Sequence, residues 1–298
     1  MASFSPRVGL FKGLGGVLEI LPERFDSWAA SHIATNVGRL TTGSRDNLRD
    51  NLRRALSTSD LTVTDELLER MVDRAFASYG QYWAEGAKLP ALSTNAMASR
   101  FVISEGLEGL QRAHAAGNGV VVALPHVGSW EWGGAFLAHI GMPMTAVAEA
   151  LEPPELFAWF REKRQSIGIE IEPLDENAGT VLLSTLRAGG VVGLLCDRDL
   201  QGNGIEVEFF GETVTMPAGP ATLSLRTGAT LVAAACYAGP LRGHHAVITP
   251  PIDTARHGKM REDVQRVTQL VARELEHLIR RAPEQWHVLE RRFEASAR

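Results

Sequence analysis

Cysteine is nearly absent: the 298 residues include two, Cys196 and Cys236, both inside apolar runs. That excludes a disulfide framework and a cysteine-built zinc site, and it fits a reducing compartment. The N-terminal segment also lacks the run of about 20 apolar residues that a membrane-spanning helix needs. Lys12 and Glu19 break its most apolar stretch. No small-residue cleavage site follows a clean apolar core, so a signal peptide is not expected either. Neither a Gly-x4-Gly-Lys-Ser/Thr loop nor a His-Glu-x-x-His helix occurs, which removes the commonest nucleotide-binding and zinc-protease chemistries. Ser129 has Gly128 before it and Trp130-Glu131 after it, so there is no Gly-x-Ser-x-Gly elbow of a serine hydrolase. Excess positive charge is missing too. The formal net charge of −5 (30 Lys and Arg against 35 Asp and Glu) argues against nucleic acid as a partner.

What is present is ordinary globular material, 45% hydrophobic and 22% charged, in a chain long enough to bury a sizeable core. Charge is unevenly spread. Residues 1–57 carry eight Lys/Arg and five Asp/Glu, a balance of +3, which leaves −8 for the remainder. Within that basic end, Phe4, Val8, Phe11, Leu18 and Leu21 fall near one helical face, with Arg7 and Lys12 on others. The pattern suits an interfacial amphipathic helix or one packed on the domain.

Apolar residues recur at helical spacing through Phe25–Val37, Leu48–Leu56 and Leu67–Trp83, so the first hundred residues read as helices. From Gly119 the texture changes to short β-branched runs alternating with amphipathic stretches. Strands are predicted at Val120–Leu124, Thr145–Ala148, Glu170–Pro173, Val191–Cys196, Leu231–Tyr237 and Ala246–Thr249. Helices are predicted near 129–140, 153–167, 178–188, 217–227 and 260–281. The fold class is therefore α/β: a largely parallel central sheet flanked by helices, with an N-terminal helical segment. Residues 1–100 are expected as a helical lid or membrane-associating segment on an α/β core at 101–298, the whole forming one domain. Val264, Val267, Val271, Leu275 and Leu278 make a stripe that reads as core packing, and His244-His245 reads as a surface pair ahead of a strand.

The most informative stretch is Val120-Val-Val-Ala-Leu-Pro-His126-Val-Gly-Ser-Trp-Glu131, an apolar strand ending at a proline and a histidine. Ligands favour this end of a strand in a parallel sheet. Ser129 is a candidate N-cap, which puts Glu131 in the first turn of the next helix, where the dipole favours a carboxylate. With His126 still in the loop, Glu131 can turn back to fix the imidazole tautomer and support its cation. A structural histidine beside a helix-end carboxylate fits the same residues. Asp197-Arg-Asp-Leu-Gln-Gly-Asn203-Gly204 nearly matches a calcium loop, but strand-like runs flank it and Gln201 replaces a ligand position. An acidic turn at a strand end is the better account, and no metal is expected.

His126-Val-Gly-Ser-Trp-Glu131 resembles the His-x4-Asp/Glu signature of the lipid A biosynthesis and lysophospholipid acyltransferase superfamily. Further segments follow in that family's order from about residue 80. They are Glu149-Ala-Leu-Glu-Pro-Pro-Glu-Leu, Arg161-Glu-Lys-Arg164-Gln-Ser-Ile-Gly168, Asp197-Arg-Asp199, Phe209-Phe-Gly211, Met216-Pro-Ala-Gly-Pro220, Pro283-Glu-Gln-Trp-His and Arg291-Arg-Phe293. The stretch from Asp197 to Pro220 is most similar to the phosphatidylinositol mannoside acyltransferase branch. Glu131 stands where the family often has Asp, and Arg226 stands where that branch has an acid. By position, the resemblance implies His126 as base with Glu131 and Asp197 as catalytic acids. Glu149, Arg164, Asn203 and Arg226 would contact substrate.

It further implies acyl-CoA as donor substrate with no cofactor, and a phosphatidylinositol mannoside or related lipid as acceptor. The implied location is peripheral, on the cytoplasmic face of the inner membrane. A lysophospholipid or lipid A-type acceptor, with acyl carrier protein as donor, remains an alternative. So does a noncatalytic lipid-binding protein.

Overall fold

The computed structural model describes residues 23–57, 63–149, 152–239 and 243–293. The amphipathic segment expected at 4–21 lies outside them. Helices lead the described chain: α1 Glu23–Leu40, α2 Thr42–Ser57, α3 Asp65–Lys88 and the short α4 Thr94–Ala98. Helix α3 opens on Thr64, whose hydroxyl accepts the Leu67 amide at 3.2 Å, and Asp65 and Glu66 complement the dipole in its first turn. Leu48, Leu52 and Leu56 of α2 interlock with Leu68, Val72 and Phe76 of α3 in a core of their own. These helices therefore do not depend on the sheet for their main burial. Among the described residues, no helix is long and apolar enough to cross a membrane.

The strands are β1 Phe101–Glu105, β2 Val120–Leu124, β3 Met144–Ala148, β4 Ile169–Pro173, β5 Val191–Leu195, β6 Ile205–Phe209, β7 Glu212–Met216, β8 Thr230–Ala238 and β9 His244–Ile248. Seven form one sheet in the order β1-β9-β8-β2-β5-β3-β4, while β6 and β7 make a separate hairpin. From β8 through β4 neighbours are parallel; β9 runs antiparallel to β8, and β1 runs parallel to β9. Covering helices are α5 Leu107–Ala115, α6 Trp130–His139, α7 Pro154–Gln165, α8 Ala178–Arg187, α9 Gly219–Thr227 and α10 Met260–Arg281.

Strand β2 shows why an unbroken apolar run suits this position. Val121 and Ala123 face the layer that holds Leu182 and Leu186 of α8 and Val267 and Val271 of α10. Val120, Val122 and Leu124 face Leu110 of α5 and Leu137 of α6. Alternate side chains leave opposite faces of a strand, so covering both faces requires that every residue be apolar. The stripe on α10 is buried as expected.

The predicted strands are all present, to within a residue or two at their ends. Besides the short α4, three features went unlisted in the sequence reading. Edge strand β1 is short and largely unburied, so it carries no alternating signal. Helix α5 is a nine-residue element. The β6–β7 hairpin did have a signal: Ile205, Val207 and Phe209 alternate with Glu206 and Glu208. The histidine pair needs correction. His244 lies inside β9, buried, with its ring stacked on Trp132 at 4.1 Å. Burial pushes its pKa down to about 4, so the ring enters the core neutral.

Candidate active site

Because β2, β3, β5 and β8 are parallel, their carboxyl ends share one edge of the sheet, the edge at which such sheets bind ligands. His126 follows β2 by two residues and Asp197 follows β5 by two. Direct pairing of β2 with β5 brings them together. Imidazole Nδ1 lies 2.5 Å from Asp197 Oδ1, and the His126 backbone N–H donates to Oδ2 at 3.0 Å. The Trp286 indole N–H also donates to Oδ2, at 2.8 Å. A carboxylate can only accept, so Nδ1 carries the proton and Nε2 presents its lone pair. Burial works against ionisation of Asp197, but the electrostatic pull of the adjoining His126 ring and these N–H bonds outweigh it and hold the carboxyl at about 2.

Glu131 was expected to orient His126, and the geometry corrects this. Its Oε1 instead accepts the Tyr82 phenol at 2.8 Å and the Arg164 guanidinium at 3.1 Å. The first turn of α6 carries Glu131 toward α3 and α7, while His126 turns toward β5. Arg164 lies 5.0 Å over the Trp130 ring and 5.7 Å over Phe160. Burial disfavours its charge, but Glu131 more than compensates and raises its pKa. Burial, and then the Glu131 charge, push the Tyr82 phenol well above its usual range, keeping it a donor. Glu131 Oε2 is buried with no hydrogen-bond partner among the described residues.

Residues 6–295 match the family model described as bacterial lipid A biosynthesis acyltransferase. The chain belongs to that family. It is also 36% identical over 252 residues to a phosphatidylinositol mannoside acyltransferase of Mycobacterium tuberculosis, covering 83% of this chain and 77% of that protein. The Mycolicibacterium smegmatis protein of the same name is 35% identical over 252 residues, 83% of this chain and 79% of its own length.

In this acyltransferase the loop after β2 is built by its neighbours. Gly128 has φ +57°, and a Cβ there would come within 2.0 Å of the Cys236 carbonyl oxygen, so β8 can lie against the loop only if residue 128 is glycine. Loop amides are consumed locally: Val127 N–H donates to Pro125 O, Gly128 N–H to Gln285 O and Ser129 N–H to Cys236 O. Ser129 sits at the N-cap of α6 without a capping bond, its hydroxyl reaching Glu85 at 3.4 Å instead.

The other expected site residues divide by sheet edge. Glu149 follows β3 directly and Asn203 lies in the turn after β5, both exposed on the His126 side. Asp199 shapes that turn by accepting the Gly202 and Gly204 amides, each at 2.9 Å. Arg226 does not join them. It is exposed in the last turn of α9, just before β8 starts, at the opposite edge of the sheet. Its separation from the loop is about the length of a five-residue strand, roughly 16 Å. Sequence reading missed Tyr82, which sits on a helix treated as a lid. It also gave no individual role to Trp286, His287 or Arg292, although the motif segments contained them. The His287 N–H holds the His126 carbonyl at 2.8 Å, and burial, with His126 nearby, pushes the His287 ring down to about 3.

Proposed function

We propose that the chain transfers a fatty acyl group from acyl-CoA to a mannose hydroxyl of a phosphatidylinositol mannoside, with His126 as general base. The carrying observation is the imidazole at the carboxyl edge of the sheet, its Nδ1 bound to buried Asp197. Nε2 takes the hydroxyl proton as the oxygen attacks the thioester carbonyl carbon. Collapse of the tetrahedral intermediate breaks the C–S bond, and the imidazolium returns its proton to the departing thiolate. Such proton transfer typically contributes about 10²–10⁴-fold. The ionised Asp197 supports the transient cation. Ser129's amide being engaged, the first-turn amides of Trp130 and Glu131 are the nearest oxyanion donors, since first-turn N–H groups have no intrahelical partner. Arg164 supplies a phosphate or sugar contact near the acceptor. An unpartnered buried oxygen such as Glu131 Oε2 costs about 1–3 kcal/mol, which a substrate hydroxyl would recover. The acceptor assignment is supported by the two mycobacterial relatives, whose names state that activity.

The test is thioester consumption with palmitoyl-CoA, wild type against His126→Ala, with and without phosphatidylinositol mannoside. Acceptor-stimulated turnover that the variant loses supports the reading. Turnover stimulated only by a lysophospholipid or a lipid A precursor removes the mannoside acceptor and leaves the base.

Peripheral binding to the inner membrane surface belongs to the same proposal. Ile33, Val37 and Leu40 share a face of α1 and are 63%, 50% and 83% exposed, a surface suited to the acyl boundary of a bilayer. Changing all three to Ser is expected to weaken binding to anionic vesicles at least about tenfold in co-sedimentation. Deleting residues 1–21 is expected to weaken it as well. Undiminished binding by both variants would remove this end of the chain as the contact.

A further inference from the structure

The segment 285–292 touches the catalytic pair at more points than chain connectivity requires. Gln285 O accepts the Gly128 amide at 3.0 Å and the His287 N–H donates to His126 O at 2.8 Å, so Trp286 pairs antiparallel with Val127. The Gln285 side chain closes a two-bond pair with the Ala238 backbone on β8. Further on, the Arg292 guanidinium donates to Asp197 O at 2.6 Å and to Thr215 O at 2.8 Å. Buried Asn51 of α2 clips the segment from outside, donating to Val288 O and Glu290 O and accepting the Arg292 amide.

Trp286 itself is fully buried, with Phe209 and Phe210 of the hairpin 6.2 and 5.8 Å from its ring. Phe210 takes φ +51°, a conformation a bulky residue rarely adopts. The strained turn sets its ring against the indole. Nothing in core packing requires the indole nitrogen to meet a carboxylate, yet the N–H donates to Asp197 Oδ2 at 2.8 Å. That bond, with the His126 amide on the same oxygen, leaves Oδ1 for the imidazole.

We propose that this segment is a strap and that Trp286 is a positioning residue for the acyl transfer, its indole N–H fixing the rotamer of Asp197 and moderating its pull on the His126 imidazole. The inference rests on the reading of His126 as base. A donor on Oδ2 withdraws electron density from the carboxylate. Without it, Asp197 holds the imidazolium more tightly, and a higher pH is needed to free the base. Other titratable or charged groups near the pair are His287, Arg292 and the Cys196 thiol. The substitutions leave all of them in place.

The experiment compares wild type, Trp286→Phe, and a protein with 3-benzothienylalanine at position 286, which keeps the indole shape and replaces N–H by sulfur. The acid limb of the kcat/KM profile is expected to move up by about 0.5–1 pH unit in both variants. Accompanying it, kcat should fall at least about tenfold with KM for acyl-CoA within about twofold. An unmoved acid limb in the benzothienyl protein would overturn the proposal and reduce Trp286 to packing. The downfield proton resonance of His126 Nδ1–H, identified by its loss in His126→Ala, gives a readout that needs no turnover. If it moves in the benzothienyl protein the strap stands, even where no acceptor is acylated and the proposed activity fails. If it stays in place the strap falls, whatever the activity.

Discussion

Asp197→Asn is expected to lower kcat roughly 10²–10⁴-fold while leaving KM for acyl-CoA nearly unchanged. The two bonds on Oδ2 dictate how the amide must sit. The His126 and Trp286 N–H groups both point at that oxygen, so the Asn carbonyl has to take its place. The NH2 group then occupies the Oδ1 position and donates to Nδ1. The imidazole is forced to carry its proton on Nε2, where the base must be empty. Asn matches Asp in volume, so circular dichroism and thermal melting should report an intact fold. Activity within a few-fold of wild type would mean that Asp197 only shapes the loop and that the base lies elsewhere.

The second large effect concerns stability. Arg164→Met is expected to cost about 3 kcal/mol in urea unfolding, because it strands the buried Glu131 carboxylate with only the Tyr82 phenol for support. The double variant Arg164→Met, Glu131→Leu should recover most of that loss. Replacing both members of a buried ion pair by apolar groups is often nearly neutral, whereas removing one leaves an uncompensated charge. Additive losses in the double variant would show that the pair is not coupled. An unchanged Arg164→Met protein would show that solvent reaches Glu131 freely. Activity of the double variant separates roles: lost transfer in a stable protein would tie Glu131 or Arg164 to substrate rather than to the fold.

Much of the architecture was legible because it depends on local patterns. Val120–Leu124 and Val191–Leu195 are short β-branched runs bounded by Gly, Pro or a polar break, and such runs form the centre of a parallel sheet. Helix α10 repeats apolar residues at spacings of three or four from Val264 to Leu278, about four turns, which gathers them into one stripe that the sheet buries. Edge strand β1 escaped because only Phe101 of its five residues is buried, whereas β4, the other edge, alternates buried Ile169 and Ile171 with exposed Glu170 and was legible. The surface reading of His244 failed for a related reason: a neutral imidazole stacked on an indole looks the same in sequence as an exposed one.

Within the site, the sequence by itself determined that His126 sits at the end of an apolar strand, that Glu131 falls in the first turn of the next helix, and that Asp197 ends another strand. It also determined the family, since residues 6–295 match its model. Which acid the imidazole bonds was decided only by tertiary structure. Glu131 is five positions from His126, yet the α6 turn sends it to Tyr82 and Arg164. Asp197 is 71 positions away, and β2–β5 pairing delivers it to Nδ1. Trp286 comes from 89 positions beyond Asp197, on a strap clipped by Asn51. Hydrogen bonds follow distance and direction in space, and chain spacing sets these only within one element. Between elements, strand order and packing set them.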